Sequence, residues 1–233
     1  MTAELLDNIV WNSLAGPHAA FSAGTSTARR YASGFSPILG FANATDPDFA
    51  ALKDHCEVGE HFYVARWSGS APPGWQIDAD SIGHQMVWDA GLAAADDTLT
   101  SRRLEAAHVP QMLELVAIRP PGPFGVRNIE LGEYYGVFDG GDGGDGGRLV
   151  AMAGERMHAG RFREISGVCT HPDFQGRGYA RRLMMKLLRL EILRGQTPFL
   201  HVMHDNVDAR RLYERMGFRD HQQMALRVVS RLP

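Results

Sequence analysis

Cysteine is nearly missing from this 233-residue chain, with only Cys56 and Cys169 present. One disulfide at most could form, which excludes a small secreted scaffold held by cross-links, and two thiols cannot build a cysteine-rich zinc site. No metal site is expected. Long apolar runs are missing too: nothing approaches the roughly 20 residues that span a membrane. The opening MTAELLDNIVWNSLAG carries Glu4 and Asp7 and no early Lys or Arg, so it does not read as a secretory signal. A cytoplasmic protein without membrane partners is the expectation. Neither sign of charge dominates: 24 Lys and Arg stand against 27 Asp and Glu. That speaks against a generally basic nucleic-acid binder. What is present is ordinary globular material, 44% apolar and 22% charged, enough for one large domain or two small ones.

The first hundred residues are uneven. Leu5, Leu6, Ile9, Val10 and Leu14 form a helical stripe. Asp46 is a candidate N-cap for a second helix, with Pro47 at its first position. His61–Trp67 reads as a strand, Ser68–Trp75 as a loop, Gln85–Trp88 as another strand, and Ala90–Thr100 as a boundary. The aromatic pairs Phe62/Tyr63 and Trp67/Trp75 are read as core, with the lining of a pocket as the alternative. The remainder is clearer. Val109–Ile118 is a short helix, and RPPGPFG, Arg119–Gly125, is a constrained loop. Strands are predicted at Gly132–Phe138, Arg148–Arg156 and Phe162–Thr170, the first two joined by a glycine–aspartate tip, Gly140–Gly147. A helix follows from Ala180 to Leu193, ended by Gly195. Then come a buried strand, Phe199–Met203, a helix from Val207 to Met216 capped by Asn206 and stopped by Gly217, and a strand at Met224–Val229. This order predicts an α+β fold, a mixed sheet flanked by helices.

The sharpest feature joins the third of those strands to the long helix. Gln175-Gly176-Arg177-Gly178-Tyr179-Ala180 places successive backbone N–H groups where the helix begins. Glycines there admit a ligand to the backbone, the helix dipole favours negative charge, and Arg177 and Arg181 add cations. On physical grounds this is a cradle for pyrophosphate; the bland alternative is a glycine-rich turn. The loose pattern is weak alone, but the strand before, the amphipathic helix after and the buried strand beyond supply its context.

Here the chain resembles the GNAT superfamily of acetyl-CoA-dependent N-acetyltransferases. Gln175, Gly178 and Ala180 stand in the defining positions of the acetyl-CoA loop, with alanine where glycine also occurs. Asn206, Ala209, Leu212, Tyr213, Gly217 and Phe218 fit the later motif. The wider similarity runs from about Leu104 to Val229 and extends to a bacterial subgroup through RPPGPFG, ELGEYYGVF, LVAMAGER and PFLHV. The resemblance implies a mostly antiparallel sheet and a cofactor lying where the Phe162 and Phe199 strands splay. It implies that the backbone of Val168, Cys169 and Thr170 pairs with the pantetheine arm, that Val168 N–H donates to the thioester oxygen, and that Gln175–Arg181 hold the pyrophosphate. Asn206 would add a secondary cofactor contact. An amine would attack directly, leaving Cys169 structural.

Glu164 is the candidate base, four residues before Val168 and, by period two, on the same face. A salt-bridged or substrate-positioning carboxylate is the alternative, and His201 or His204 could take the same task. Tyr213 is the candidate acid for the departing thiolate, against a plain core role. Glu130, Glu133 and Glu155 are read as recognising a cationic substrate or as solvated, and the basic residues of the long helix as a solvated face. Residues 101–233 are the catalytic domain. Residues 1–100 lack the cofactor loop and are read as a degenerate GNAT-like lobe that shapes the acceptor pocket. The acceptor is expected to be a small-molecule amine or amino acid. A protein or peptide acceptor, or a CoA-binding regulator without turnover, are the alternatives, with a homodimer left open.

Overall fold

The computed structural model describes residues 4–96, 98–140 and 147–233. In the first part lie β1 (Ser22–Gly24), β2 (Ala28–Tyr31), β3 (Ile38–Phe41), β4 (His61–Ala65) and β5 (Trp75–Trp88). Then follow β6 (Arg102–Arg103), β7 (Tyr134–Phe138), β8 (Leu149–Ala159), β9 (Phe162–Thr170), β10 (Thr197–Met203) and β11 (Phe218–Arg231). The helices are α1 (Glu4–Asp7), α2 (Ile9–Leu14), α3 (Val109–Ile118), α4 (Tyr179–Leu193) and α5 (Val207–Met216). All the strands of the described residues join one sheet, in the order β1-β2-β3-β4-β11-β5-β10-β9-β8-β7-β6. Only β3/β4 and β9/β10 are parallel; the other neighbours are antiparallel. The α+β expectation and the mixed, mostly antiparallel sheet agree with this.

The central feature is β5. It comes from the first hundred residues yet lies between β10 and β11, pairing antiparallel with both. The boundary expected near residue 100 therefore falls between strands of one continuous sheet. Both long strands outrun their predicted spans, which were Gln85–Trp88 and Met224–Val229, because they pair with each other from Phe218/Trp88 to Arg231/Trp75. Long mutual pairing satisfies backbone groups that local sequence alone leaves undecided.

Helices cover both faces. Leu183, Met184, Leu187 and Leu188 of α4 are fully buried and pack with Ala151, Ala153, Leu200 and Val202. Each such side chain contributes about 1.5–3 kcal/mol on burial. Met216 of α5 joins the same cluster. On the opposite face Leu6, Ile9 and Leu14 pack against Met157, Ala159, Phe162 and Phe199. Phe62, Trp67 and Trp75 lie in a third cluster, so these aromatics are core rather than pocket lining.

Two local expectations are corrected. The N-terminal stripe forms two helices, α1 and α2, that break at Asn8. The helix signal at Asp46 becomes a 3-10 turn over Phe49–His55, capped by Asp48, whose side chain accepts from Ala51 N–H at 3.1 Å. Asp48 lies directly before the turn and outcompetes Asp46 for those N–H groups. Most of the expected glycine–aspartate tip, residues 141–146, lies outside the described residues.

Candidate functional site

The β9/β10 ladder is short. It pairs Thr197 with Phe162, Pro198 with Arg163 and Phe199 with Glu164, and then stops. Both strands continue, β9 to Thr170 and β10 to Met203, without pairing with each other. Val168, Cys169 and Thr170 therefore line an opening inside the sheet, where backbone groups require some other partner. Cys169 is buried, and burial pushes its thiol up to about 12, which makes it a poor nucleophile.

Beyond β9 the chain passes Pro172–Phe174 and reaches α4 through Gly176 and Gly178, both at φ +75. A Cβ at either glycine would meet open space or only the Arg182 side chain at 4.0 Å, so the left-handed backbone is what requires glycine here. Gly178 is the N-cap residue and supplies no side-chain cap, which leaves the first N–H groups of α4 facing outward. Gln175, Arg177 and Arg181 are exposed around this rim, and Tyr179 and Ala180 are half-buried. Arg177 stacks over Phe174 at 4.6 Å. Gln175–Arg181 thus gather around the uncapped start of α4.

On the α4/α5 side, Tyr213 packs against the cluster that also holds Val168 and meets Phe218 edge-on at 5.9 Å. Burial pushes its phenol up to about 12, and its hydroxyl makes no hydrogen bond among the described residues. Asn206 caps α5, accepting from Ala209 N–H at 3.3 Å.

Glu164 lies elsewhere than period two predicted. The β8/β9 register shifts between Met152/Cys169 and Gly154/Ser166, because Gly167 at φ +63 bulges β9. The bulge reverses the alternation. Ile165 and Val168 both meet the α4-side cluster, whereas Glu164 points to the opposite face with Phe162. Its carboxylate is fully buried and accepts from Arg156 Nε at 2.9 Å and Nη2 at 2.7 Å, from Met157 N–H at 3.2 Å, and pairs with His201 Nδ1 at 2.8 Å. Burial raises its proton affinity, but the Arg156 guanidinium and His201 overcome that and hold the carboxyl well below the ordinary range. A carboxylate so committed is a weak proton acceptor, and the salt-bridged positioning role fits it better. His201, with its side chain 22% exposed, is the accessible member of this group.

His201 borders a recess of about 20 Å³, room for one water, lined also by Asp7, Asn8, Arg66, Gln85 and Gln222. His204 is on the other side of the sheet: its Nδ1 meets His84 Nε2 at 2.9 Å, and His84 in turn meets Asp220 at 3.1 Å. The acidic residues considered for cation recognition are occupied by arginines. Glu130 pairs with Arg127 at 2.7 Å and Glu133 with Arg194 at 2.9 Å, while Glu155 is buried between Arg163 and Arg194. Nor is the basic face of α4 simply solvated. Arg182 grips Asp96 at 2.5 and 3.0 Å, Lys186 donates to Ser101, and Arg189 to Ala93 O, which ties the segment after β5 along the helix.

Sequence reasoning missed Arg156, Gln85, Arg66 and Gln222. Arg156 left a signal: a guanidinium in an apolar strand, across a hairpin from a carboxylate. The others left none, because the β5 insertion that gathers them is not written in local sequence.

Among the described residues no helix is long and apolar enough to cross a membrane, and no group of side chains is arranged to hold a metal ion. The FR47-like protein family matches residues 135–228. No curated protein matches the chain. A structure of a GNAT-family acetyltransferase from Novosphingobium aromaticivorans is 32% identical, with a TM-score of 0.88 over 98% of this chain and 99% of that one. A GCN5-related N-acetyltransferase-like protein from Streptococcus suis is 15% identical, with a TM-score of 0.59 over 96% of this chain and 92% of that one. A GCN5-related N-acetyltransferase from Kribbella flavida is 12% identical, with a TM-score of 0.57 over 95% and 94%. The last two share the fold.

Proposed function

Because the chain belongs to the GNAT family of acetyltransferases, we propose that it moves an acetyl group from acetyl-CoA to a small primary amine by direct attack. The observation that carries this reading is the opening between β9 and β10 leading to the uncapped start of α4. Acetyl-CoA fits the donors present. The unpaired edge of β9 offers N–H and C=O groups to a pantetheine amide, and the α4 N-terminus with Arg177 and Arg181 offers positive potential to a pyrophosphate. Bound there, acetyl-CoA supplies an activated thioester.

The chain's own residues do the rest. Val168 N–H donates to the thioester oxygen as charge develops on it. On the opposite face His201, oriented through Nδ1 by Glu164, takes the proton of the attacking amine. Tyr213 would give its proton to the sulfur as the new N–C bond forms and the C–S bond breaks. The buried phenol is protonated at neutral pH, but burial also weakens it as an acid, so the transfer depends on the sulfur being held in direct contact with the hydroxyl. Residues 1–100 act as the lobe that walls the acceptor side, supplying Asp7, Asn8, Arg66 and Gln85. The acids occupied by arginines leave no open acidic cleft for a basic peptide among the described residues, which favours a small amine.

Calorimetric titration with acetyl-CoA, with NADH as control, tests the reading. Saturable binding of acetyl-CoA alone is expected, weakened at least about tenfold by Gly178→Val, since a β-branched residue is strained at φ +75 by more than about 1 kcal/mol. No binding to folded protein would overturn it. Turnover is then read as thiol release against a panel of amines.

A further inference from the structure

His201 terminates a directed chain of hydrogen bonds that crosses four strands. Its far anchor is Arg66, directly after β4, whose guanidinium donates to Gln222 Oε1. Gln222 Nε2 donates to Gln85 Oε1 at 2.7 Å, and Gln85 Nε2 meets His201 Nε2 at 3.1 Å. Arginine only donates. Gln222 must therefore accept with its oxygen and donate with its nitrogen, and Gln85 must do the same one step further on. A second contact fixes Gln85 independently: its Nε2 lies 3.3 Å from Leu6 O, which only accepts. So Gln85 donates to His201 Nε2. At the other end Glu164, ionised beside Arg156, accepts from Nδ1–H. Both ends agree on one state of the ring: proton on Nδ1, lone pair on Nε2.

The fold departs from regular geometry to build this chain. Arg66, at φ +70, is the only residue besides glycine with positive φ among the described residues. Such a backbone costs about 1–3 kcal/mol and tends to sit at functional places. Gln222 reaches the chain because β11 bulges at His221, between Asp220/Met86 and Gln222/Gln85, which turns Gln222 to the face of Gln85. Arg66, Gln222, Gln85 and His201 all line the same recess.

We propose that Gln85, aimed by Gln222 and Arg66, is a positioning residue that holds the His201 ring in the Nδ1–H form by donating to its Nε2 lone pair, from which an acceptor amine entering the recess must displace it. The amide N–H of Gln85 occupies the place that the N–H of an acceptor amine takes. This deepens the reading of His201 as base and rests on it for its catalytic meaning, while the ring state stands on the geometry alone.

Histidine ¹⁵N NMR on the full chain separates the two. The His201 signal is identified among the ten histidines by its loss in His201→Phe. At neutral pH the unsubstituted protein is expected to show a neutral ring protonated at Nδ1. The groups facing the ring are Glu164 from β9, with Arg156 behind it on β8, Gln85 from β5, and Asp7 and Arg66 across the recess. Gln85→Glu replaces the donor by an acceptor of the same shape, so the ring is expected to carry both protons. Gln85→Leu removes the donor and leaves the Nδ1–H form. If acetylation is found, Gln85→Glu lowers kcat by about 10²-fold or more, and Gln85→Leu by less than about tenfold. A merely structural glutamine would give the reverse order, with the isosteric variant the milder. A ring protonated at Nε2 in the unsubstituted protein, or a neutral ring in Gln85→Glu, overturns the proposal whatever the activity. The expected ring states without any amine acetylation would leave the proposal standing and overturn the function instead.

Discussion

Arg156→Met isolates the buried ion pair that stands behind His201, the proposed base. Arg156 and Glu164 expose 8% and 1% of their side chains and meet through two hydrogen bonds of 2.7 and 2.9 Å. Removing one partner of a buried pair costs about 3–5 kcal/mol, because the other charge is left uncompensated. Glu164 keeps Met157 N–H and His201 Nδ1–H as donors, so the low end, about 3 kcal/mol, is expected. For a chain of this size that is a fall in Tm of about 6–12 °C. Adding Glu164→Gln removes the stranded charge, so the double variant should be more stable than Arg156→Met alone, with a coupling of about 2 kcal/mol. Urea unfolding of the four proteins in the cycle measures both. A loss below about 1 kcal/mol for Arg156→Met, or a double variant no more stable than that single one, would refute the account.

Tyr213→Phe removes a hydroxyl that has no hydrogen-bond partner, so stability should change by less than about 0.5 kcal/mol while kcat falls about 10²-fold with acetyl-CoA affinity kept; an unchanged kcat would remove Tyr213 from the reaction. Asn206→Ala loses the cap on Ala209 N–H and should cost about 1 kcal/mol, read by thermal melting, with a smaller effect on cofactor affinity. The third expectation concerns acid. His18 is buried, its Nδ1 within 2.8 Å of Tyr31 Oη and 3.1 Å of Ser13 Oγ, and its ring lies 4.7 Å from that of His158. Burial first, then His158, lowers it from 6.5 to about 4. The folded protein therefore binds this proton less tightly than the unfolded chain. The contribution is complete above about pH 6.5 and drains away as pH falls toward about 4, up to about 3 kcal/mol. His158 is likewise lowered to about 4 by burial, so His18→Gln should reduce the slope of stability against pH in that window without abolishing it, and an unaltered slope would show that this imidazole is not responsible.

Which parts of the site the sequence discloses follows from how local their causes are. Gly178, Gln175 and the α4 stripe are legible because a loop-to-helix junction is written in about ten consecutive residues. Asn206 and Gly217 bracket α5 by the same local rules. Glu164 was found as a residue but assigned the wrong face, because alternation holds only along an unbroken strand and Gly167 breaks it. That glycine is itself readable in retrospect: a Cβ there would lie 2.9 Å from Tyr134 Cε1, and φ is +63. The contact, however, is made across β8, out of reach of any local pattern.

The same distinction explains why the recess beside His201 is not legible in the sequence. Gln85 and Gln222 lie 137 positions apart and become neighbours only because β5 enters the sheet between β10 and β11. Nothing in the composition of β5 requires that place. Polar and apolar residues alternate only over Trp75–Asp80, while His84 and Gln85 are adjacent and Met86, Val87 and Trp88 run on as apolar, a pattern that specifies no neighbour. Insertion there gives β10 an antiparallel neighbour on the side away from β9, so β10 can leave β9 after Phe199 without losing its other ladder. The β9/β10 opening and the contact of Gln85 with His201 thus share one cause. A change that weakens β5 pairing at Gln85 is therefore expected to disturb cofactor affinity and the His201 ring state together, whereas Gly178→Val should alter the first and leave the second unchanged.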